Sequence, residues 1–274
     1  MNALTLTVIV NDKARQGYSQ EHGLAVAVRS AFWQYLYDTG AGDALKANAI
    51  AAGLREVIWD GLILSHGHYD HTGALATFLR ARPQTTVYHG QGVEARRYSC
   101  PAGSKPRDIS LPEEARAALA ALPEEQRVVI STWTQVDKGL FLTGPIPHEA
   151  CEDCGGPFFQ EPEAIHPDLF NDELALVIQR GKENVLLTGC CHSGLLNTLN
   201  HCRTHGFAID TVVGGLHLKN ATAERLAETA DYLNEFMVRR IYLMHCTGEA
   251  VMQYLKRHCT APVFELQAGD SVSL

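Results

Sequence analysis

The sequence predicts an α/β fold in which two sheets are sandwiched between helices. Three observations carry that expectation. Short runs rich in Val, Ile, Leu and Tyr, bounded by Gly, Asp, Asn or Pro, recur along all 274 residues and read as strands. Stretches of helix-forming composition lie between them. The first third is strand-rich and the last third alternates helix with strand, as in a chain that layers both around shared cores.

Strands are expected at 4–10, 24–28, 33–37, 61–64, 86–89, 128–131, 139–142, 174–179, 185–187, 211–213, 241–244 and 263–266. Helices are expected at 43–53, which ends in a glycine stop, and at 73–81, 112–121 and 250–255. Leu226, Ala230, Leu233 and Met237 are spaced to form one apolar helical face. Residues 95–168 hold nine of the 11 prolines and two irregular stretches, PAGSKPRD and CEDCGGPFFQEPE. They read as an inserted, cap-like region facing the substrate within one domain spanning 1–274.

With 46% hydrophobic and 20% charged residues, the composition is that of a soluble globular domain long enough for a substantial core. A net charge of −8 argues against nucleic-acid or anionic-membrane partners and leaves a small-molecule substrate as the expected one. A homo-oligomer is left open. No window reaches the roughly 18 apolar residues of a membrane span, and the first residues lack the pattern of a signal peptide. A cytoplasmic location is therefore expected. There the eight cysteines are thiols or ligands rather than a disulfide framework.

The strongest chemical signal is LILSHGHYDHTG at 62–73. An apolar strand runs directly into His66, His68, Asp70 and His71. His66 and His68 are two apart in an extended segment and project to one side. The chain then turns, so that Asp70 and His71 face the same cavity from the other direction. Three imidazoles and a carboxylate suit Zn²⁺, and also Fe or Mn. The plain alternative is four polar residues in a solvated loop, but such density straight after a buried strand favours metal.

SHGHYDHTG resembles the HxHxDH pattern of the metallo-β-lactamase-fold hydrolases. EHGLA (21–25), YDTG (37–40), LTGPIP (142–147), TGCCHSG (188–194), GGLHL (214–218) and HCTG (245–248) resemble landmarks of that superfamily's dihydropteroate-synthase-like subgroup. The resemblance implies a four-layer αββα sandwich of two mixed sheets with a metal site along one edge. It also implies two divalent ions, zinc first with manganese or iron as alternatives. His66 and His68 would hold the first ion. Asp70, His71 and the late His245 would hold the second.

The middle of the pattern departs from the family. Where relatives end a strand in a bridging aspartate, NVLLTG ends in Cys190, and His192 follows two residues later. No GHTPG-like segment precedes it; LFNDELALV offers Asn171, Asp172 and Glu173 instead. Three readings stay open for LTGCCHSG. His192 is the missing ligand, or Cys190 coordinates as a thiolate beside it, or the segment is a structural turn shaped by Gly189 and Gly194. His217, after two glycines, reads as a proton donor or oxyanion stabiliser, with metal ligation and a structural role as alternatives. Asp38 is expected to support a ligand from behind and His22 to reach the cavity from the early loop, unless either is a local cap. Cys246 adjoins His245 and, by strand alternation, is expected to pack behind the site. His148, Cys151 and Cys154 form a weak second cluster, with Cys100 and His166 as completions. His89, His201, His205 and His258 read as strand-end or helix-surface residues.

The family resemblance implies hydrolysis by a metal-activated hydroxide of an ester, phosphoester or pterin-like small molecule. Asp70 would orient the nucleophile and His217 would assist the leaving group. A non-haem iron redox enzyme of the sulfur-dioxygenase kind is the alternative on the same fold. A binding module with a vestigial site is a third, disfavoured by the intact HGHYDH.

Overall fold

The computed structural model describes residues 4–150, 152 and 154–274, and two seven-stranded sheets form its centre. The first sheet orders Ser271–Ser273, Thr5–Val10, Ala25–Arg29, Gln34–Tyr37, Gly61–Ile63, Val87–Gly90 and Arg127–Ile130. The second orders Val263–Glu265, Arg240–Leu243, Thr211–Gly214, Glu183–Thr188, Leu176–Arg180, Leu140–Leu142 and Thr134–Asp137. Each sheet is mixed. Gly61–Ile63 pairs in parallel with both neighbours, as do Thr211–Gly214 and Arg240–Leu243, while the hairpin strands pair antiparallel.

Three apolar clusters define the layers. Between the sheets, Leu6, Val8, Val26, Val28, Tyr35 and Ile63 meet Leu140, Leu176, Ile178, Val185, Leu187 and Val213. Period-2 alternation sends the intervening residues outward. Ala25, Ala27, Leu36, Leu62 and Val87 thus pack under helices Ala44–Ala51, Leu75–Ala81 and Glu113–Ala120. On the other sheet, Leu186, Val212, Ile241 and Leu243 pack under Leu195–Thr204, Ala223–Glu235 and Glu249–His258. The order is helix, sheet, sheet, helix, the αββα sandwich that the resemblance implied.

Several local expectations shift. Ala230 and Leu233 are buried, but Met237 lies beyond the end of Ala223–Glu235, 79% exposed and with φ of 53°, so it leaves the apolar stripe. Helix Leu195–Thr204 and strands Thr134–Asp137 and Ser271–Ser273 were not expected. Within 95–168, Arg127–Ile130 joins the first sheet, while Thr134–Asp137 and Leu140–Leu142 join the second. Tyr98–Ser99, Arg107–Asp108 and Phe158–Phe159 form a separate three-stranded sheet. Among the described residues, no helix is long and apolar enough to cross a membrane.

Candidate metal centre

The HGHYDH segment leaves strand Gly61–Ile63 at its carboxyl end. Gly67 allows the turn because nothing larger fits: a Cβ there would lie 2.1 Å from the Val93 carbonyl oxygen and 2.2 Å from Arg97 Nη1. His68 is the N-cap of the short helix Tyr69–Thr72, and its carbonyl accepts from Thr72 Oγ1 at 2.7 Å. That helix carries Asp70 and His71 back into the cavity. His66, His68, Asp70 and His71 are all buried.

The second sheet contributes from the carboxyl ends of three adjacent parallel strands, where open α/β sheets place their ligands. Cys190 and His192 follow Glu183–Thr188, His217 follows Thr211–Gly214, and His245 follows Arg240–Leu243. Asp38, Cys191, His217 and His245 have φ of 59°, 62°, 47° and 51°. Left-handed backbone costs a non-glycine residue about 1 kcal/mol or more. Four such residues around one cleft show the fold holding these segments against their local preference.

The side chains converge in two groups. His66, His68 and His192 bring ring nitrogens within 4.8 Å of one another, and no Nε2 of the three has a hydrogen-bond partner. In the second group, Asp70 Oδ2 lies 3.4 Å from His245 Nε2 and 3.8 Å from His71 Nε2. Cys190 stands between the groups. Its Sγ is 3.2 Å from His71 Nε2 and lies within 4.8 Å of ring nitrogens of His66, His192 and His217.

Four of the opposite ring nitrogens are already engaged. His71 Nδ1 donates to Asp38 Oδ2 at 2.7 Å. His66 Nδ1 donates at 2.9 Å to Ser65 Oγ, whose hydroxyl donates to Asp38 Oδ2 at 2.7 Å. His192 Nδ1 donates to the Cys154 carbonyl at 2.7 Å, and His245 Nδ1 to Asp12 Oδ1 at 3.0 Å. A neutral imidazole that donates through Nδ1 keeps a lone pair on Nε2. The unpartnered Nε2 lone pairs of His66 and His192 therefore face one another across the cleft, beside His71 Nε2, which meets Cys190 Sγ at 3.2 Å. A buried cluster of electron-rich atoms is costly unless a cation sits among them, and imidazole, carboxylate and sulfur suit Zn²⁺ or Fe. The residues fit the ions that the resemblance implied.

Protonation states divide the two groups: His245, although burial opposes its charge, is pushed well above the ordinary imidazole range by Cys246, Asp12 and Asp70, whereas the first group stays neutral. Burial, and then the positive groups nearby, push His66, His68 and His192 well below the ordinary imidazole range, leaving them neutral. Burial opposes ionisation of Asp70, but the imidazoles of His71 and His245 hold its carboxyl well below the usual range.

Asp172 and Glu173 occupy the stretch that lacks the family's histidine segment, and they hold both metal loops. Asp172 Oδ2 accepts the Gly67 N–H at 2.8 Å. Glu173 accepts the N–H groups of His192 and Ser193 at 2.7 and 2.6 Å. Arg97, itself buried, donates to Asp172 Oδ1 at 2.5 Å and to Asp168 Oδ2 at 2.7 Å. Burial pushes the Glu173 carboxyl up to about 7. Nothing local in the sequence marks these contacts, because each spans between 19 and 105 residues.

Other expectations sort as follows. Asp38 supports His71 from behind, as expected. His22 reaches Asp70, with Nε2 3.4 Å from Oδ2. His217 is half-buried at the rim, its Nδ1 without a partner and its ring 4.6 Å from that of His192. Cys246 is a correction: it does not pack behind the site. The chain leaves its strand at Leu243 and turns through His245–Thr247, so alternation no longer applies. Cys246 Sγ comes within 4.8 Å of the ligand atoms of Cys190 and His245. In the HEACEDC cluster, Cys151 lies outside the described residues and His148 is exposed. His166 pairs with Glu161 at 3.2 Å. His201 and His205 pack against Trp133, and His258 stacks on Tyr254, away from the centre.

Comparison with known proteins agrees with this geometry. The structure is similar over 99% of both chains to Tm1679, a metal-dependent hydrolase of the beta-lactamase superfamily, with a TM-score of 0.84 and 28% identity. Uncharacterized protein MJ0448 of Methanocaldococcus jannaschii is 24% identical over 250 residues, covering 89% of this chain and 90% of that one. The 7,8-dihydropterin-6-methyl-4-(beta-D-ribofuranosyl)-aminobenzene-5'-phosphate synthase of the same organism is 26% identical over 200 residues, 69% of this chain and 66% of that protein. Residues 34–202, which carry HGHYDH, Cys190 and His192, match Lactamase_B, so the chain belongs to the metallo-beta-lactamase superfamily.

Proposed function

We propose that this chain is a metal-dependent hydrolase that holds two divalent cations and cleaves a small-molecule ester or phosphoester. A pterin-bearing phosphate is the leading substrate class. The observation that carries this reading is the convergence on one cleft of the buried, unpartnered Nε2 atoms of His66, His68, His192 and His245, three of them committed through Nδ1 to an acceptor behind. His66, His68 and His192 would hold one ion, and Asp70, His71 and His245 the other, with Cys190 between them. Bound cations supply Lewis acidity toward a carbonyl or phosphoryl oxygen and make water nucleophilic near neutral pH.

The chain's own groups do the rest. Asp70, kept ionised, orients the attacking water. His217 Nδ1, unpartnered at the rim, hands a proton to the departing atom. Phe158 of the three-stranded sheet sits 5.4, 5.2 and 5.5 Å from the rings of His68, His192 and His217, so this part of the 95–168 region covers the cleft and limits water. The pterin and phosphate expectation draws on the name of the M. jannaschii synthase and on the sequence landmarks of the dihydropteroate-synthase-like subgroup.

The test is metal analysis of protein purified without chelators, followed by a panel of phosphodiester, phosphomonoester, thioester and lactone substrates with and without a pterin. Two zinc or manganese ions per chain with metal-dependent turnover are expected. One iron per chain with oxygen consumption on a persulfide would replace hydrolysis by the redox reading.

A further inference from the structure

We propose that His22 is a protein ligand of the second cation, its Nε2 joining Asp70, His71 and His245. The proposal rests on the metallohydrolase reading and adds to it a residue from the early loop. Three imidazole Nε2 atoms face the same oxygen: Asp70 Oδ2 lies 3.4 Å from His22, 3.4 Å from His245 and 3.8 Å from His71. Ligand atoms sharing one ion at bond lengths of about 2.0–2.1 Å stand about 3.3 Å apart when tetrahedrally disposed. The observed separations are of that order.

His22 is not a loose surface residue that happens to point inward. Asp12 Oδ1 faces His22 Nδ1 at 3.2 Å and His245 Nδ1 at 3.0 Å. One carboxylate thus fixes both rings in the tautomer that presents Nε2 to Asp70, the arrangement that backs metal-bound histidines. The loop carrying His22 is fastened on both sides. The Glu21 carboxylate accepts four backbone N–H groups, from Ala41, Gly42, Asp43 and Ala44, at 2.7–3.1 Å. Gly23, with φ of 148°, lies against the Asp70 backbone so closely that a Cβ would stand 2.3 Å from the Asp70 carbonyl oxygen. Leu24 N donates to that same oxygen at 3.1 Å. A surface imidazole paired only with Asp12 would need none of this fastening to the HGHYDH loop.

The experiment loads chelator-treated protein with ¹¹³Cd²⁺ and records ¹⁵N-histidine NMR, alongside Zn²⁺ titration calorimetry of wild type and His22→Ala. His22 is exposed, so the variant is expected to keep its far-UV circular dichroism. The expected result is two ions per wild-type chain, a one-bond ¹¹³Cd splitting on the His22 ring nitrogen, and an affinity loss of about tenfold or more at one of the two sites in the variant. Two wild-type ions with no splitting on His22 and unchanged affinity in His22→Ala would overturn this inference and leave the hydrolase reading intact. One bound ion and no splitting would overturn it equally. Wild-type protein that binds no divalent ion would overturn both.

Discussion

Asp38 Oδ2 stands 2.7 Å from His71 Nδ1, and neither side chain has any exposure to solvent. The same carboxylate accepts the backbone N–H and the hydroxyl of Ser65, each at 2.7 Å. Ser65 in turn takes the Nδ1 proton of His66. One buried carboxylate thereby sets the ring orientation of a histidine in each metal group. Asp38→Asn keeps the shape but removes the charge and one acceptor. Removal of such a supporting carboxylate costs about 10–100-fold in metal affinity. Zn²⁺ titration of the variant should show a loss of that order, at both sites because both histidines depend on Asp38. Wild-type affinity in Asp38→Asn would remove Asp38 from any metal role.

Arg97 and Asp172 carry a second prediction, this time for stability. Both are buried, and Asp172 connects the pair to the Gly67 N–H. Truncating one partner of a buried pair strands the other charge, at about 3–5 kcal/mol. Asp172→Ala leaves Arg97 its second partner, Asp168 Oδ2 at 2.7 Å, so the loss of unfolding free energy in a denaturant titration should stay below that figure. Arg97→Met with Asp172→Leu should cost less than the sum of the two single changes, because the interaction between the two is then lost only once, with Asp168 left without Arg97 in both Arg97 variants. Additive losses would show that the two side chains stabilise the loop independently.

How much of this was legible follows from the sequence separation of each contact. HGHYDH was legible because four candidate ligands within six residues follow one strand, and their convergence needs only a local turn. Two sheets between helices were legible because strand runs and helical stretches are also local, whereas the four-layer αββα order came from the family resemblance. Asp12 was not, since its partner His245 lies 233 residues away. Asp172 and Glu173 looked like a gap in the pattern, and only the fold reveals that they grip the two metal loops. Cys246 was misplaced for a different reason. Period-2 alternation was carried one turn too far, past Leu243 and into a residue, His245, whose positive φ redirects the chain.

His89 supplies a pH prediction away from the metal centre. It is buried in strand Val87–Gly90, with Nδ1 3.0 Å from the Gly90 carbonyl and Nε2 unpartnered. Burial holds its pKa below the ordinary 6.5, so it is neutral when folded. As pH falls through 6.5 the unfolded chain takes up a proton that the folded protein refuses, and stability drops until the folded-state value is passed. Above that window His89 contributes no slope. His89→Leu removes the group. Wild type should lose unfolding free energy faster than the variant between about pH 7 and 5, by at most about 1.4 kcal/mol per pH unit, in denaturant titrations at each pH. Metal loss at low pH affects both proteins, so the difference between them is the readout. Parallel curves would mean that His89 protonates without cost.

Cys190 follows strand Glu183–Thr188 into the cleft and stands between the two groups of candidate ligands, and we propose it for the bridging place. Its Sγ approaches ring nitrogens of both groups, and Cys246 Sγ lies within 4.8 Å of the ligand atoms of Cys190 and His245. Cobalt-substituted protein distinguishes the two sulfurs, because a coordinating thiol loses its proton and adds a thiolate-to-metal absorption. Cys190→Ala should abolish that absorption and weaken binding of both ions. Cys246→Ala should leave the absorption in place. Cys190→Asp, which restores a carboxylate at the strand end, should bind two ions without the sulfur band, since carboxylate oxygen is also a zinc and manganese ligand. If the band survives Cys190→Ala and disappears in Cys246→Ala, the coordinating sulfur belongs to the His245 turn. The strand end that carries Cys190 would then serve only to bring His192 to the first group.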